Sequence, residues 1–212
     1  MRKTLFPLLA LCLLLSGCGE TPSADASAEF FAMDTVMQLR AYGPEAEAAL
    51  SQAEAEIYRL EGALSCRDEH AALAWLNKAG GGTADAETAA LLQTALTLCE
   101  KTGGAYDPAL GALSQAWGFS TGAYRVPEQD ALAEAMQESG AGLVQLDGTS
   151  VKLANGAQLD LGGIAKGYAA GRVRAILQDA GVTSAIISLG GNVAAVGTKP
   201  DGSAWTVGLQ DP

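Results

Sequence analysis

The sequence predicts an α+β fold, with a mixed or antiparallel sheet flanked by helices. Helical periodicity fills long stretches of the first two thirds and returns after position 162. A hairpin signal, Asp147-Gly148, stands between two apolar runs. A late series of short apolar strands follows without intervening helices, which excludes a regular βαβ array. With 212 residues, 49% of them hydrophobic and 17% charged, the chain can bury a sizeable core in one domain.

The elements follow in order. "MRKTLFPLLALCLLLSGCGE" begins with Arg2 and Lys3, then carries an apolar run from Leu5 to Leu15. That run is too short to span a bilayer and has the layout of a secretory signal over 1–17. "LSGC" at 15–18 resembles a bacterial lipobox, in which cleavage before Cys18 leaves its thiol to carry lipid. The expected location is therefore extracytoplasmic, anchored through Cys18 to the bacterial membrane on its periplasmic or outer face. Residues 18–29 read as a flexible tether, and 30–212 as the domain.

"FFAMDTVMQLRAYG" (30–43) has strand character and ends at a glycine. From Pro44 to Leu64 the apolar residues Ala46, Leu50, Ala53, Ile57, Leu60 and Leu64 recur at helical spacing. A short second helix covers Ala71 to Asn77, and "GGGT" then breaks the chain. Asp85 reads as the N-cap of a helix through Leu91, Leu92, Leu96 and Cys99, stopped by Gly103. The stretch 126–140 is a further helix with proline near its start and glycine at its end. The hairpin spans 143–153. A helix over Gly163–Ala180 turns Ala169, Val173, Ile176 and Leu177 inward. Strands follow at 184–191, 193–197 and 205–210, the first apolar enough to be central.

Thirteen basic against 24 acidic residues give a net charge of −11, and no basic patch stands out, so no nucleic-acid partner is expected. Cys12 falls in the signal. Cys66 and Cys99 pair as a disulfide outside the cytoplasm or are two small buried thiols. Their spacing forms no metal or redox motif. His70, the only histidine, reads as a surface residue, so neither Ser–His nor zinc chemistry has support.

Three glycine-rich stretches carry the candidate chemistry. "LDLGGIAKGYAAGRV" (159–173) puts Asp160 at a strand end, with Gly162, Gly163 and Gly167 opening a helix and Lys166 about one turn in. Such a turn brings backbone N–H groups and a mobile cation to a phosphate, or serves as a tight packing contact. It is neither a Walker loop nor a dinucleotide fingerprint. "TGGAYDPALGALSQAWGF" (102–119) exposes Asp107 before Pro108, while Trp117 and Phe119 read as a core pair rather than a ligand platform. "SLGGNVAAVG" (188–197) is a turn, a bulge or a close approach to a ligand.

At these stretches the sequence resembles the ApbE-like FAD:protein FMN transferases, or flavin-trafficking lipoproteins. "AMDT", "LSCRDEHAALAWLN", "TGGAYDPALGALSQAWGF", "LDLGGIAKGYAAGRV" and "ISLGGNVAAVG" with "DGSAWTVGLQDP" occur in the family's order, from about Phe31 to Pro212. The resemblance implies a T-fold-related domain that moves FMN from FAD to a threonine hydroxyl on an acceptor protein, a membrane redox subunit, releasing AMP with Mg²⁺. It implies flavin-nucleotide contacts from Met33, Ala105, Tyr106, Asp107, Asp160 and Lys166, and a metal ligand in the Gly163 carbonyl. The nucleophile belongs to the acceptor. Arg67 stands where the family often has an aromatic residue that stacks on the flavin; a guanidinium can stack on a flat ring as well. Gly171 and Ala109 replace a usual aspartate and threonine. Family members continue well beyond "LQDP" with a His-x-x-Asp-Pro segment and a loop of side-chain metal ligands. The expectation is an incomplete form, inactive by itself. The alternative activities are FAD binding without transfer, and FAD hydrolysis to FMN and AMP.

Overall fold

A computed structural model describes residues 25–209. The signal at 1–17, Cys18 and the first part of the tether lie outside them. Two antiparallel sheets and six helices are found among the described residues.

The first sheet has the order β1-β2-β6-β7, with β1 Asp25–Ala32, β2 Thr35–Tyr42, β6 Ser184–Leu189 and β7 Asn192–Gly197. Every neighbouring pair is antiparallel. β6 is interior, as its apolar run predicts. Met37, Leu39 and Ala41 of β2 and Ala185, Ile187 and Leu189 of β6 are buried together. Alternate burial along a strand is what a pleat with one covered face produces.

Two expectations change at the start. Residues 25–29 belong to β1, not to a tether: Ala26, Ala28 and Phe30 pack against the core, and Asp25 pairs with Arg40. Alanine and serine carry little strand propensity, so the period-two pattern there is faint. Nor is 30–43 one strand. It folds back at Met33-Asp34, with Ala32 opposite Thr35. Both turn residues are left-handed, at φ 48° and 61°. A two-residue hairpin favours that handedness but usually takes Asn-Gly.

The long helices cover this sheet. Helix α1 (Ala46–Leu64) buries every apolar position that its periodicity marks. Helix α6 (Gly162–Asp179) buries Ala169, Val173 and Leu177, with Ile176 only half-buried. Both join one core with β2 and β6. At about 25 cal/mol per Å² of apolar surface, each fully buried leucine or isoleucine there contributes about 2 kcal/mol.

The second sheet has the order β3-β5-β4, from Gly81–Thr83, Ser150–Leu153 and Val144–Asp147. β4 and β5 form the expected hairpin. β3 was not expected, because its glycines read as a break. They are there for contact: a Cβ on Gly81 would lie 2.3 Å from the Val151 carbonyl oxygen. Helix α2 (Ala72–Ala79) precedes β3 and ends on left-handed Gly80. Helix α3 (Ala86–Lys101) follows it. Asp85 caps α3, accepting from the N–H groups of Glu87 and Thr88.

Helix α4 (Gly111–Ala116) is a short helix that its glycine start conceals, and α5 (Gln129–Gln137) is briefer than its stretch suggests. No strand forms over 203–209 among the described residues. The Trp205 indole N–H instead donates to the Val196 carbonyl at 3.4 Å, a side-chain tie where a ladder was expected. Among the described residues, Cys66 and Cys99 form no disulfide and are free thiols.

Candidate functional site

A cavity of about 790 Å³ opens where four distant stretches meet. The β1–β2 turn brings Met33 and Asp34. The end of α1 brings Tyr58 and Glu61, and the following loop Ser65 to Asp68. Phe119 and Ser120 form a third wall, and Asp160, Gly162, Ala165 and Lys166 the fourth. Four of the predicted residues, Met33, Arg67, Asp160 and Lys166, are thereby brought onto one surface.

Asp160 governs the fourth wall. Its Oδ1 accepts from the Gly162 N–H at 2.9 Å and its Oδ2 from the Ser114 hydroxyl at 3.1 Å. The Asp160 N–H donates to the Pro108 carbonyl at 2.8 Å. The carboxylate thus closes an Asx turn into α6, at the positive end of that helix. Lys166, half-buried one turn further, has no carboxylate within 4.0 Å among the described residues. An unpaired ammonium beside a helix N-terminus suits an anionic ligand.

Tyr106 stands behind this turn. A Cβ on Gly163 would lie 2.7 Å from the Tyr106 ring, so the glycine makes room for the tyrosine. The phenol oxygen is buried and has no hydrogen-bond partner among the described residues. Burial, then the nearby Asp160 carboxylate, pushes its pKa up to about 12. Asp107 is half-buried rather than exposed. Its Oδ1 accepts from the Ala109 N–H at 2.8 Å and its Oδ2 from the Ala141 N–H at 2.9 Å. Ala105 is exposed. None of Ala105, Tyr106 and Asp107 lines the cavity; Tyr106 packs beside Gly163, and Asp107 precedes Pro108, whose carbonyl accepts from the Asp160 N–H.

Gly163 lies in the first turn of α6, outside the left-handed region. Its carbonyl keeps one lone pair beyond the helical bond and can offer a metal one oxygen. A hard divalent cation takes about six. No group of three or more His, Cys, Asp or Glu side chains close enough to hold a metal occurs among the described residues. These residues do not by themselves make a magnesium shell.

Several wall residues escape sequence reasoning. Glu61 accepts from the Met33 N–H at 2.7 Å and holds the left-handed turn. Asp34 pairs with Arg67 at 2.7 Å. Tyr58 and Glu61 share one flank near the end of α1, a periodicity signal visible only once the burial of the other flank is known. Cys66 is half-buried on the wall, and burial raises its thiol pKa, so it stays protonated at neutral pH. The aromatic pair is not in the core. The Trp117 and Phe119 rings stack at 6.2 Å and 7°, and Phe119 is 52% exposed. His70 is at the surface, as expected.

This arrangement has relatives. The sequence is 35% identical over 225 residues to the FAD:protein FMN transferase of Treponema pallidum, covering 95% of this chain and 62% of that protein. It is 33% identical to the FAD:protein FMN transferase of Rhodobacter capsulatus, covering 90% of this chain and 38% of that one. The crystal structure of the ApbE protein from Thermotoga maritima matches with a TM-score of 0.83 at 29% identity, covering 89% of this chain and 64% of the other. The chain thus spans less than two thirds of the length of each of these relatives. The sequence profile of the ApbE family matches residues 33–212, and the chain belongs to that family.

Proposed function

We propose that this chain binds FAD in the cavity and provides the flavin-nucleotide site of an FAD:protein FMN transferase. The observation that carries the reading is the Asp160–Lys166 turn: a helix N-terminus set by an Asx turn, with a lysine that has no acidic partner among the described residues, on the wall of a cavity large enough for a nucleotide. The names of the relatives support the same reading.

In the reaction, a threonine oxygen of the acceptor attacks the FMN-side phosphorus of FAD. A phosphoester bond to FMN forms, the pyrophosphate P–O bond breaks, and AMP leaves with the bridging oxygen. The threonine proton passes to solvent. The start of α6 and Lys166 hold the pyrophosphate and offset its charge. Asp160 keeps that helix start in place. Met33 and Arg67 border the nucleotide, while Tyr106 and the Asp107-Pro108 stretch support the turn from behind. A bound Mg²⁺, which family resemblance implies, would neutralise phosphate charge. The Gly163 carbonyl would be one of its ligands. We further propose that Cys18 anchors the protein by lipid on the extracytoplasmic side, where a membrane redox subunit is the acceptor.

The test incubates the protein with FAD and Mg²⁺, with and without an acceptor carrying the threonine. AMP release that requires acceptor identifies the transferase. Release without acceptor would make it a FAD hydrolase, and tight FAD binding without release a carrier. Absence of FAD binding in titration would overturn the reading. Asp160→Ala and Lys166→Ala should each weaken FAD binding by about 1–3 kcal/mol.

A further inference from the structure

Arg67 joins two walls of the cavity. Its Nη1 lies 2.7 Å from Asp34 Oδ1, and its Nη2 donates to the Phe119 carbonyl oxygen at 2.7 Å. Both partners are themselves cavity residues. One end of this tie is a turn of two left-handed non-glycine residues, which cost about 1–2 kcal/mol each and need outside support. The other end is a phenylalanine that exposes 52% of its surface, backed by the parallel ring of Trp117 and flanked by Tyr124 at 5.9 Å. Arg67's own backbone is fixed as well, since Ser65 Oγ accepts from the N–H groups of Arg67 and Asp68.

An exposed aromatic ring on a cavity wall offers a flat apolar face. Here the face is set on both sides: Trp117 and Tyr124 fix the ring, and the guanidinium fixes the backbone that carries it. With both Nη groups committed, Arg67 is held as a strap. We propose that Phe119 is the stacking platform for a planar heteroaromatic ring of the bound nucleotide, and that Arg67 is the positioning residue that aims it. This rests on the flavin-nucleotide reading above. FAD carries two such rings, isoalloxazine and adenine, and FMN and AMP separate them experimentally.

The experiment is calorimetric titration of the intact protein with FAD, FMN and AMP, for wild type, Phe119→Leu, Arg67→Ala, Arg67→Lys and the Phe119→Leu/Arg67→Ala double variant. Stacking on an aromatic side chain is worth enough that Phe119→Leu should weaken FAD binding about tenfold. The same loss should fall on only one of FMN and AMP, which identifies the ring. Arg67→Ala should lose severalfold on that same half. Arg67→Lys should not rescue it, because one ammonium cannot copy the fork across both partners. The double variant should bind within about twofold of Phe119→Leu, because the two residues act through one contact. A merely structural Arg67 would weaken both halves alike and would add its loss to that of Phe119. Arg67 is partly exposed, so its variants should fold; their melting curves check this directly. Wild-type binding of FAD with unchanged affinity in Phe119→Leu, or full additivity in the double variant, would overturn this proposal alone. Failure of wild type to bind FAD would overturn the flavin reading with it.

Discussion

Replacing Asp107 by alanine should destabilise the domain rather than merely alter its surface. The carboxylate accepts from the Ala109 N–H at 2.8 Å and from the Ala141 N–H at 2.9 Å, and so ties together two stretches of chain 34 residues apart. Hydrogen bonds to a charged group contribute about 1.5–3 kcal/mol each. Asp107 is only half-buried, and water can replace part of the loss, so the lower figure applies. The sum is about 3 kcal/mol. In a domain of this size each kcal/mol moves the melting temperature by about 2–4 °C, which places the drop at about 6–12 °C. Asp107→Asn keeps one acceptor oxygen and turns an N–H₂ toward the other donor, so it should lose at least half as much. Thermal melts followed by far-ultraviolet circular dichroism measure both, and urea titration with an unchanged slope would assign the loss to the native state. An alanine variant melting within about 1 °C of wild type would refute the idea that this carboxylate holds the loops together.

Gly163→Ala should displace the Tyr106 ring and cost about 1–3 kcal/mol through overpacking, although its backbone would accept alanine; a tyrosine absorbance spectrum and melt identical to wild type would contradict it. The hydrogen bond from Arg59, with help from Arg172, holds the Glu56 carboxyl at about 2. Glu56 therefore adds stability above the unfolded carboxylate range, and that stability is lost as pH falls from about 4.5 towards 2. Arg59→Ala should flatten the decline of urea stability across that window, and an unchanged slope would count against the pairing. Cys18→Ser should release the protein from membranes or block its processing; an unaltered membrane fraction would end the lipid-anchor proposal.

The long helices were legible because they are amphipathic: α1 and α6 advertise their buried stripes, and Asp85 marks the cap of α3. The elements that hid are those whose residues carry weak local signals. The first half of β1, Asp-Ala-Ser-Ala-Glu, carries a weak strand signal and owes its order to pairing with β2. β3 is glycine because the Val151 backbone crosses so close to it. The candidate site divides in the same way. Asp160 and Lys166 stand out within one turn of chain, since their chemistry is local. Asp34, Glu61 and Phe119 act through residues far away in sequence, and no short motif shows that Arg67 reaches two of them. The aromatic pair misled because stacking at a cavity mouth and packing in a core call for the same residue types.

The cavity is assembled from four segments that have little covalent reason to stay together. A ligand that touches all four is, thermodynamically, a reversible cross-link. It binds only the assembled form, so every opening that separates one wall from the others must first release it. At a ligand concentration of 100 times Kd, this linkage is worth about 2.7 kcal/mol against unfolding. The gain should be felt unevenly along the chain. Hydrogen exchange should slow most at the β1–β2 turn, the 65–68 loop, the 119–120 stretch and the first turn of α6, and least in the β4–β5 hairpin, which shares no wall with the cavity. Occupancy would then be readable as a pattern of protection, without any chemistry taking place.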